Sequence, residues 1–343
     1  MRFSSTVLVT VLSTLLPVTQ AGPVLIAPRP PLLPSNGDFH GFDNSILDRK
    51  AKVAISSISN TTGDDDGSVS TIQSSWINAQ PPEIRLLPRS SFSSDASAVV
   101  QPNTPAKDKF VLKRFIFGTD NRYHWNLQVF PYRAVGRISW SSGVICSGAL
   151  VGPRHVLTAR HCLPKSGDKL TGRFAPSFDE GVERAGGANI KVALASQPVS
   201  NDRDGCGTKF DWAVLVLDDS LGDNVGWFGV RTPQKEYFDM PVFYHMGYPG
   251  DKDGGSQPNL MTHITVFGDR TFDCDGTGPF YTDTDAVGGQ SGGPHWLPDE
   301  EGNRWIWGAL SIGVSYGAGQ GYSGFSSGAE MIDAINQMRE EFP

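Results

Sequence analysis

Three short stretches of this 343-residue chain carry side chains able to cooperate in nucleophilic chemistry. The first is GGQSGGP, Gly288 to Pro294, with Ser291 at its centre. A serine hydroxyl attacks a carbonyl only when a base takes its proton, and the species that follows needs backbone N–H groups aimed at its oxyanion. Glycines on both sides of Ser291 permit the tight turn that would aim the amides of Gly289 and Ser291 at such an oxygen. The second stretch is HVLTARHC, where an apolar run ends at His161 beside Cys162, a base held at the end of a strand. The third is FDWAVLVL, in which Asp211 precedes a strongly apolar strand, an unfavourable place for a carboxylate without a partner. Such an Asp, accepting the histidine Nδ1–H, would fix the tautomer and stabilise the imidazolium. Singly, each stretch has a plain structural account: a Gly-rich surface turn, a structural histidine, a solvated strand-end carboxylate. Together, in the order His161, Asp211, Ser291 and each at a strand edge, they point to acyl transfer through Ser291.

Side chains so far apart in sequence must be brought together by rigid elements. From Phe115 onward the chain consists of short apolar runs separated by Gly, Pro, Asp and Asn: ALVGPRHVLTA, NIKVALAS, FDWAVLVLDD, PVFYHMGYPG, HITVFG, RWIWGALSIGVS. Many short strands with turn residues between them predict an all-β sandwich or barrel. The last stretch changes period. Ala329, Ile332, Ile335 and Met338 recur at helical spacing and predict a terminal amphipathic helix packed on the β structure. The triad order agrees with this fold class, being that of chymotrypsin rather than of subtilisin or the α/β-hydrolases.

The first 114 residues read differently. Residues 1–21 have one Arg, an apolar stretch from Val7 to Val18 and small or polar residues up to Ala21, the pattern of a secretory signal cleaved after Ala21. Residues 22–114 are rich in Pro, Ser and Thr and poor in aromatics, and read as a pro-segment or linker, with a glycosylation sequon at Asn60. Lys113-Arg114 ends this segment just before an apolar run, which marks Arg114 as the expected processing site of a secreted precursor. In an oxidising compartment the even set Cys146, Cys162, Cys206 and Cys274 predicts two disulfides, with three possible connectivities. The net charge of -7 is spread along the chain without basic runs, so no nucleic-acid partner is expected, and beyond the signal no segment is apolar enough to span a membrane. His155, His245, His263 and His295 lack metal-ligand spacing and are read as structural, so no metal or other cofactor is expected.

From about Phe115 to the C-terminus the chain resembles the chymotrypsin-fold serine peptidases, and within them the glutamyl-endopeptidase-like (V8-like) branch. The residues that carry the resemblance are IFGTDNR (Ile116 to Arg122), FPYRAV (Phe130 to Val135), CSGALVGPRHVLTARHC, FDWAVLVL, VGWFG (Val225 to Gly229), GYPGDK (Gly247 to Lys252) and TDTDAVGGQSGGP. The resemblance implies two six-stranded antiparallel barrels, about residues 115–225 and 226–343, with the site in the cleft between them. It implies a Cys146–Cys162 disulfide, which leaves Cys206 with Cys274. It also implies a secreted endopeptidase, expected to be monomeric, that acts on polypeptide substrates. Two positions depart from related branches. Where trypsin-like enzymes carry an Asp that pairs with the new N-terminus on activation, this chain has Gln290. Asp285 stands where trypsin-like enzymes bind a basic substrate side chain, whereas Ser315 is aligned with the His that confers glutamyl preference. Asp285 and Ser315 are therefore the expected specificity positions; the glutamyl branch resembles this chain in the same TDTD stretch, so Asp285 alone decides nothing, while Ser315 in place of the His speaks against a strict Glu preference.

Overall fold

The computed structural model describes residues 38–41, 79–87, 114–165, 167–197, 206–268, 277–317 and 320–343. The expected signal cleavage at Ala21, the sequon at Asn60 and Cys274 lie outside the described residues.

The first barrel is built from six antiparallel strands: β1 (Val135–Trp140), β2 (Ile145–Leu150), β3 (His155–Thr158), β4 (Gly172–Pro176), β5 (Ala188–Ser196) and β6 (Ala213–Leu217). They pair in the order β6-β3-β2-β1-β4-β5, and β5 pairs back onto β6, which closes the barrel. Closure leaves no free edge among these six, although the segment Glu83–Leu87 adds in parallel along β5. The apolar runs supply the filling: Ile138, Leu150, Val156, Phe174, Val214 and Leu215 are all buried. With α1 packed against it outside the barrel, β6 is buried along its whole length, which is why its sequence shows no polar alternation.

The second barrel contains β7 (Pro241–Gly247), β8 (Asn259–Thr265), β9 (Phe280–Thr282), β10 (Pro294–Pro298), β11 (Arg304–Gly317) and β12 (Gln320–Ser326), paired in the order β9-β12-β11-β10-β7-β8. A bridge between Val266 and Thr282 joins the two ends of this sheet, with the Phe267 amide donating to the Tyr281 carbonyl at 2.9 Å. The two-barrel fold expected from the sequence is thus present. Two chain segments cross the expected boundary near residue 225. Tyr123–His124 pairs with β8, and Arg114–Phe115 pairs with Val287 and Ala286, so the start of the domain belongs to the second barrel. At the other end, α1 (Ala329–Glu341) returns to the first barrel and buries Met331, Ala334, Ile335 and Met338 there; Ile335 and Met338 are on the face expected from the period, whereas Ala329 is exposed and Ile332 only half-buried, so the packed face is turned from the expected one.

The second barrel holds its aromatic core around histidines. His295 stacks on Phe243 at 4.7 Å between ring centroids, and His245 and His295 both lie against Phe325. His155 sits under α1, its Nε2 3.0 Å from the Met338 carbonyl. Burial holds His155 and His245 down to about 4, and drives His295 well below its ordinary value. All three are neutral packing groups in the folded chain.

Unfolding lets these imidazoles regain their ordinary affinity for protons. Their contribution to stability is therefore complete above about pH 6.5 and is lost as pH falls toward about 4. Asp283, pushed up to about 6 by burial, and Asp285, also raised by burial, work in the opposite sense over part of that window, two carboxyls against three imidazoles. Thermal unfolding midpoints should fall between pH 7 and pH 4, and His295→Leu should flatten that slope, since neither ring nitrogen of His295 has a hydrogen-bond partner among the described residues. An unchanged slope in the variant would exclude this histidine as the cause.

Candidate active site

His161 follows β3 in a short 3-10 turn, Arg160–Cys162, and the disulfide Cys146–Cys162 ties that turn to β2, with 6.1 Å between the Cα atoms. This is the pairing that the family resemblance implied. Cys206 is also disulfide-bonded. Asp211 caps the turn Gly207–Phe210 just before β6. Strand pairing of β3 with β6 then brings the two side chains together.

Their contact is close and directional. Asp211 Oδ2 lies 2.6 Å from His161 Nδ1, and Oδ1 accepts the His161 backbone N–H at 3.0 Å. A third donor comes from the other barrel: Ser311 Oγ on β11 donates to Asp211 Oδ2 at 2.6 Å. Burial would raise the Asp211 carboxyl, but the charge and hydrogen bond of His161, with Arg160 and Ser311, hold it below the ordinary value. A carboxylate so placed stays ionised and keeps the imidazole turned with Nδ1 toward it. Sequence reasoning missed Ser311. Its one signal was a hydroxyl in the apolar run GALSIGV, where a buried hydroxyl needs a partner.

Ser291 heads the turn between Ala286–Val287 and β10. Gly289 and Gly292 take positive φ of 99° and 81°, which a side chain would resist. At Gly292 space also forbids a side chain, since a Cβ would stand 2.1 Å from Thr158 Oγ1. The turn is pinned to the first barrel through Ser147 on β2. Its N–H donates to the Ser291 carbonyl and its Oγ to the Gly289 carbonyl, both at 2.8 Å. The Gly292 amide donates to Leu310 O and the Leu310 amide to Gly293 O, so the turn also lies along β11 directly before Ser311. Ser147 is a second residue that the motifs did not reveal.

The structure therefore gathers His161, Asp211, Ser291 and Gly289 at the junction of the barrels. Ser291 is fully buried, and its Oγ is a buried polar atom with no hydrogen-bond partner among the described residues. Folded proteins rarely tolerate such an atom without a reason. Asp285 is placed differently from a ligand for a substrate side chain. Its two carboxylate oxygens accept the backbone amides of Phe117 and Asn121, at 2.8 and 2.9 Å, and it is 1% exposed. Burial raises its pKa against the effect of those two bonds. Ser315 lies on β11 opposite Gly321, four residues past Ser311. Among the described residues no cluster of His, Cys, Asp and Glu could hold a metal ion.

A closed six-stranded barrel bearing a His–Asp pair, beside a second six-stranded barrel with bridged ends that bears a serine turn, defines the chymotrypsin-type serine peptidase class. The family model described as Trypsin matches residues 119–335, more than half of the chain, and the chain belongs to that family. It is similar to the glutamyl endopeptidase of Bacillus licheniformis, 31% identical over 57% of this chain and 58% of the relative. It is also similar to human serine protease 23, at 25% identity over 66% of this chain and 62% of that protein. The chain thus spans about three fifths of the length of these curated relatives. A solved structure of a Glu endopeptidase in complex with MPD superposes with a TM-score of 0.52 at 24% identity, covering 66% of this chain and 99% of that one, which shows the shared fold.

If Asp285 is a tie for the 117–121 segment, Asp285→Ala should strand two buried amides and lower stability by about 2 kcal/mol. Urea midpoints measure this. An unaltered midpoint would mean that the carboxylate serves something other than the fold.

Proposed function

We propose that this chain is a secreted serine endopeptidase, a monomer acting on polypeptides through an acyl-enzyme, with Ser291 as nucleophile, His161 as general base and acid, and Asp211 as the group that orients His161. The observation that carries this reading is the hydrogen-bonded chain Ser311–Asp211–His161 beside a buried, unengaged Ser291 hydroxyl. As Ser291 Oγ adds to the scissile carbonyl, His161 takes its proton. The amides of Gly289 and Ser291 hold the oxyanion, His161 returns the proton to the leaving amine, and the acyl group stays on Oγ. Water, deprotonated by His161, then releases the acid and regenerates Ser291. The scheme uses no cofactor.

Residues 22–114 are proposed to be a pro-segment removed at or near Arg114 after the signal has been cleaved at Ala21. Support comes from the segment Asp38–Gly41, which pairs antiparallel with β11: Asp38 opposite Ser315, Phe39 opposite Val314, His40 opposite Gly313 and Gly41 opposite Ile312. The segment advances toward Ser311 and the Ser291 turn. This is the free strand edge on which an extended polypeptide substrate would lie beside the nucleophile, so the segment is a tethered competitor for it.

A peptide panel varied at P1 tests the catalytic reading. The secreted protein should cleave it and Ser291→Ala should lose activity by at least about 10³-fold; the preferred P1 residue then reports specificity, with Glu and Asp the first to try given the relative named above. Equal cleavage by both proteins would remove Ser291 from the mechanism. No cleavage by either after processing would favour a catalytically silent homologue acting as a binding module. The precursor supplies a separate test: Arg114→Gln should still react with a small fluorophosphonate while cleaving peptides much more slowly than the processed chain. Equal peptide turnover would dispose of the tethered competitor.

A further inference from the structure

The residue before the nucleophile, Gln290, is 1% exposed and held by a guanidinium. Arg122 Nη1 donates to Gln290 Oε1 at 2.8 Å. The remaining donors of Arg122 go to two carboxylates. Nε and Nη2 meet Asp120 at 3.0 and 2.9 Å, while Nη1 and Nη2 meet Asp251 at 3.1 and 2.9 Å. All five guanidinium N–H groups are thereby used in one plane, an arrangement only arginine can supply. The Arg122 side chain is fully buried. Lys252 Nζ lies 3.5 Å from Asp120 and also donates to the Arg122 carbonyl, so two cations balance two carboxylates around a neutral amide.

Gln290 passes this anchorage directly to the turn. Its Oε1 also accepts the Val287 N–H at 3.0 Å, its own N–H donates to the Val287 carbonyl at 3.1 Å, and its carbonyl accepts the Gly293 N–H at 2.9 Å. The conformation of residues 287–293, and with it the direction of the Gly289 and Ser291 amides, follows from where Oε1 is held. Asp251 belongs to the same frame, since the Gly250 amide beside it donates to the Gly288 carbonyl at 2.8 Å.

We infer that Arg122 is a positioning residue for the oxyanion turn, acting through Gln290, and that this internal guanidinium sets the turn without any ion pair to a newly cut chain end. The inference rests on Ser291 being the nucleophile. Arg122 touches no reacting atom; it fixes the amides that meet the oxyanion, so its loss weakens the transition state and spares ground-state binding.

The test uses the processed protein and the peptide found by the panel. Gln290→Met keeps the volume and leaves Arg122 with both carboxylates. It should lower kcat about 10- to 100-fold with KM within about threefold, and should weaken a peptide aldehyde inhibitor in parallel with kcat while leaving a matched C-terminal amide peptide unaffected. Arg122→Lys, which retains the charge and gives up the fork, should lower kcat about tenfold in the same pattern, and it carries the comparison if the first variant does not fold. Wild-type kcat in a folded variant, or a loss confined to KM, or equal weakening of aldehyde and amide, would overturn the positioning role. Failure of the wild-type protein itself to turn over peptide or react with a fluorophosphonate would instead refute the enzymatic reading on which it rests.

Discussion

The hydrogen bond from Ser311 to Asp211 joins the first barrel, closed by strand pairing, to the second, whose ends meet at a single bridge. The strand ladders of the two do not merge, so hydrogen bonds at the junction, from side chains and from backbone, set their mutual position. Ser311 does this on one side of the site and Ser147 on the other, where its hydroxyl and amide hold the carbonyls of Gly289 and Ser291. With the barrels fixed by these contacts, a His–Asp pair rooted in β3 and β6 comes to face a serine turn rooted in β10 and β11. Without them, each barrel would carry half a constellation.

Such contacts work because they are buried. A hydroxyl or amide taken out of water without a partner costs about 1–3 kcal/mol, so each pair at the junction makes misdocking expensive as well as docking favourable. The same logic explains the saturation of Arg122. A buried guanidinium is costly unless its donors are engaged, and meeting that requirement with Asp120, Asp251 and Gln290 stitches the loops around residues 120–122 and 251 to the nucleophile turn. Ser291 Oγ, by contrast, is among the buried polar atoms that have no hydrogen-bond partner among the described residues.

Asp285 shows that position within a motif does not by itself give a carboxylate's role. The stretch TDTDAVGGQSGGP carries the family likeness, but a carboxylate's role depends on what reaches it, and here two backbone amides from the 117–121 segment do. Local sequence contains no trace of that approach, because Phe117 and Asn121 arrive from more than 160 residues upstream. Gln290 differs in kind. Its identity excluded an ion pair to the chain end, while the guanidinium that replaces it could be found only in space.

What the sequence by itself determined is what depends on near neighbours: the short strands from runs of apolar residues bounded by turn formers, the terminal helix from its period, the tight serine turn from its glycines, and the three motif residues His161, Asp211 and Ser291. Barrel closure, the return of α1 to the first barrel, the crossing of Arg114–His124 to the second, and the roles of Ser311, Ser147 and Arg122 were decided only by tertiary structure. The division has a physical cause. Backbone propensity and side-chain periodicity act over a few residues and leave a local record, whereas the partner of a buried polar group is whichever atom the packed chain brings within about 3 Å, and that is a property of the whole fold.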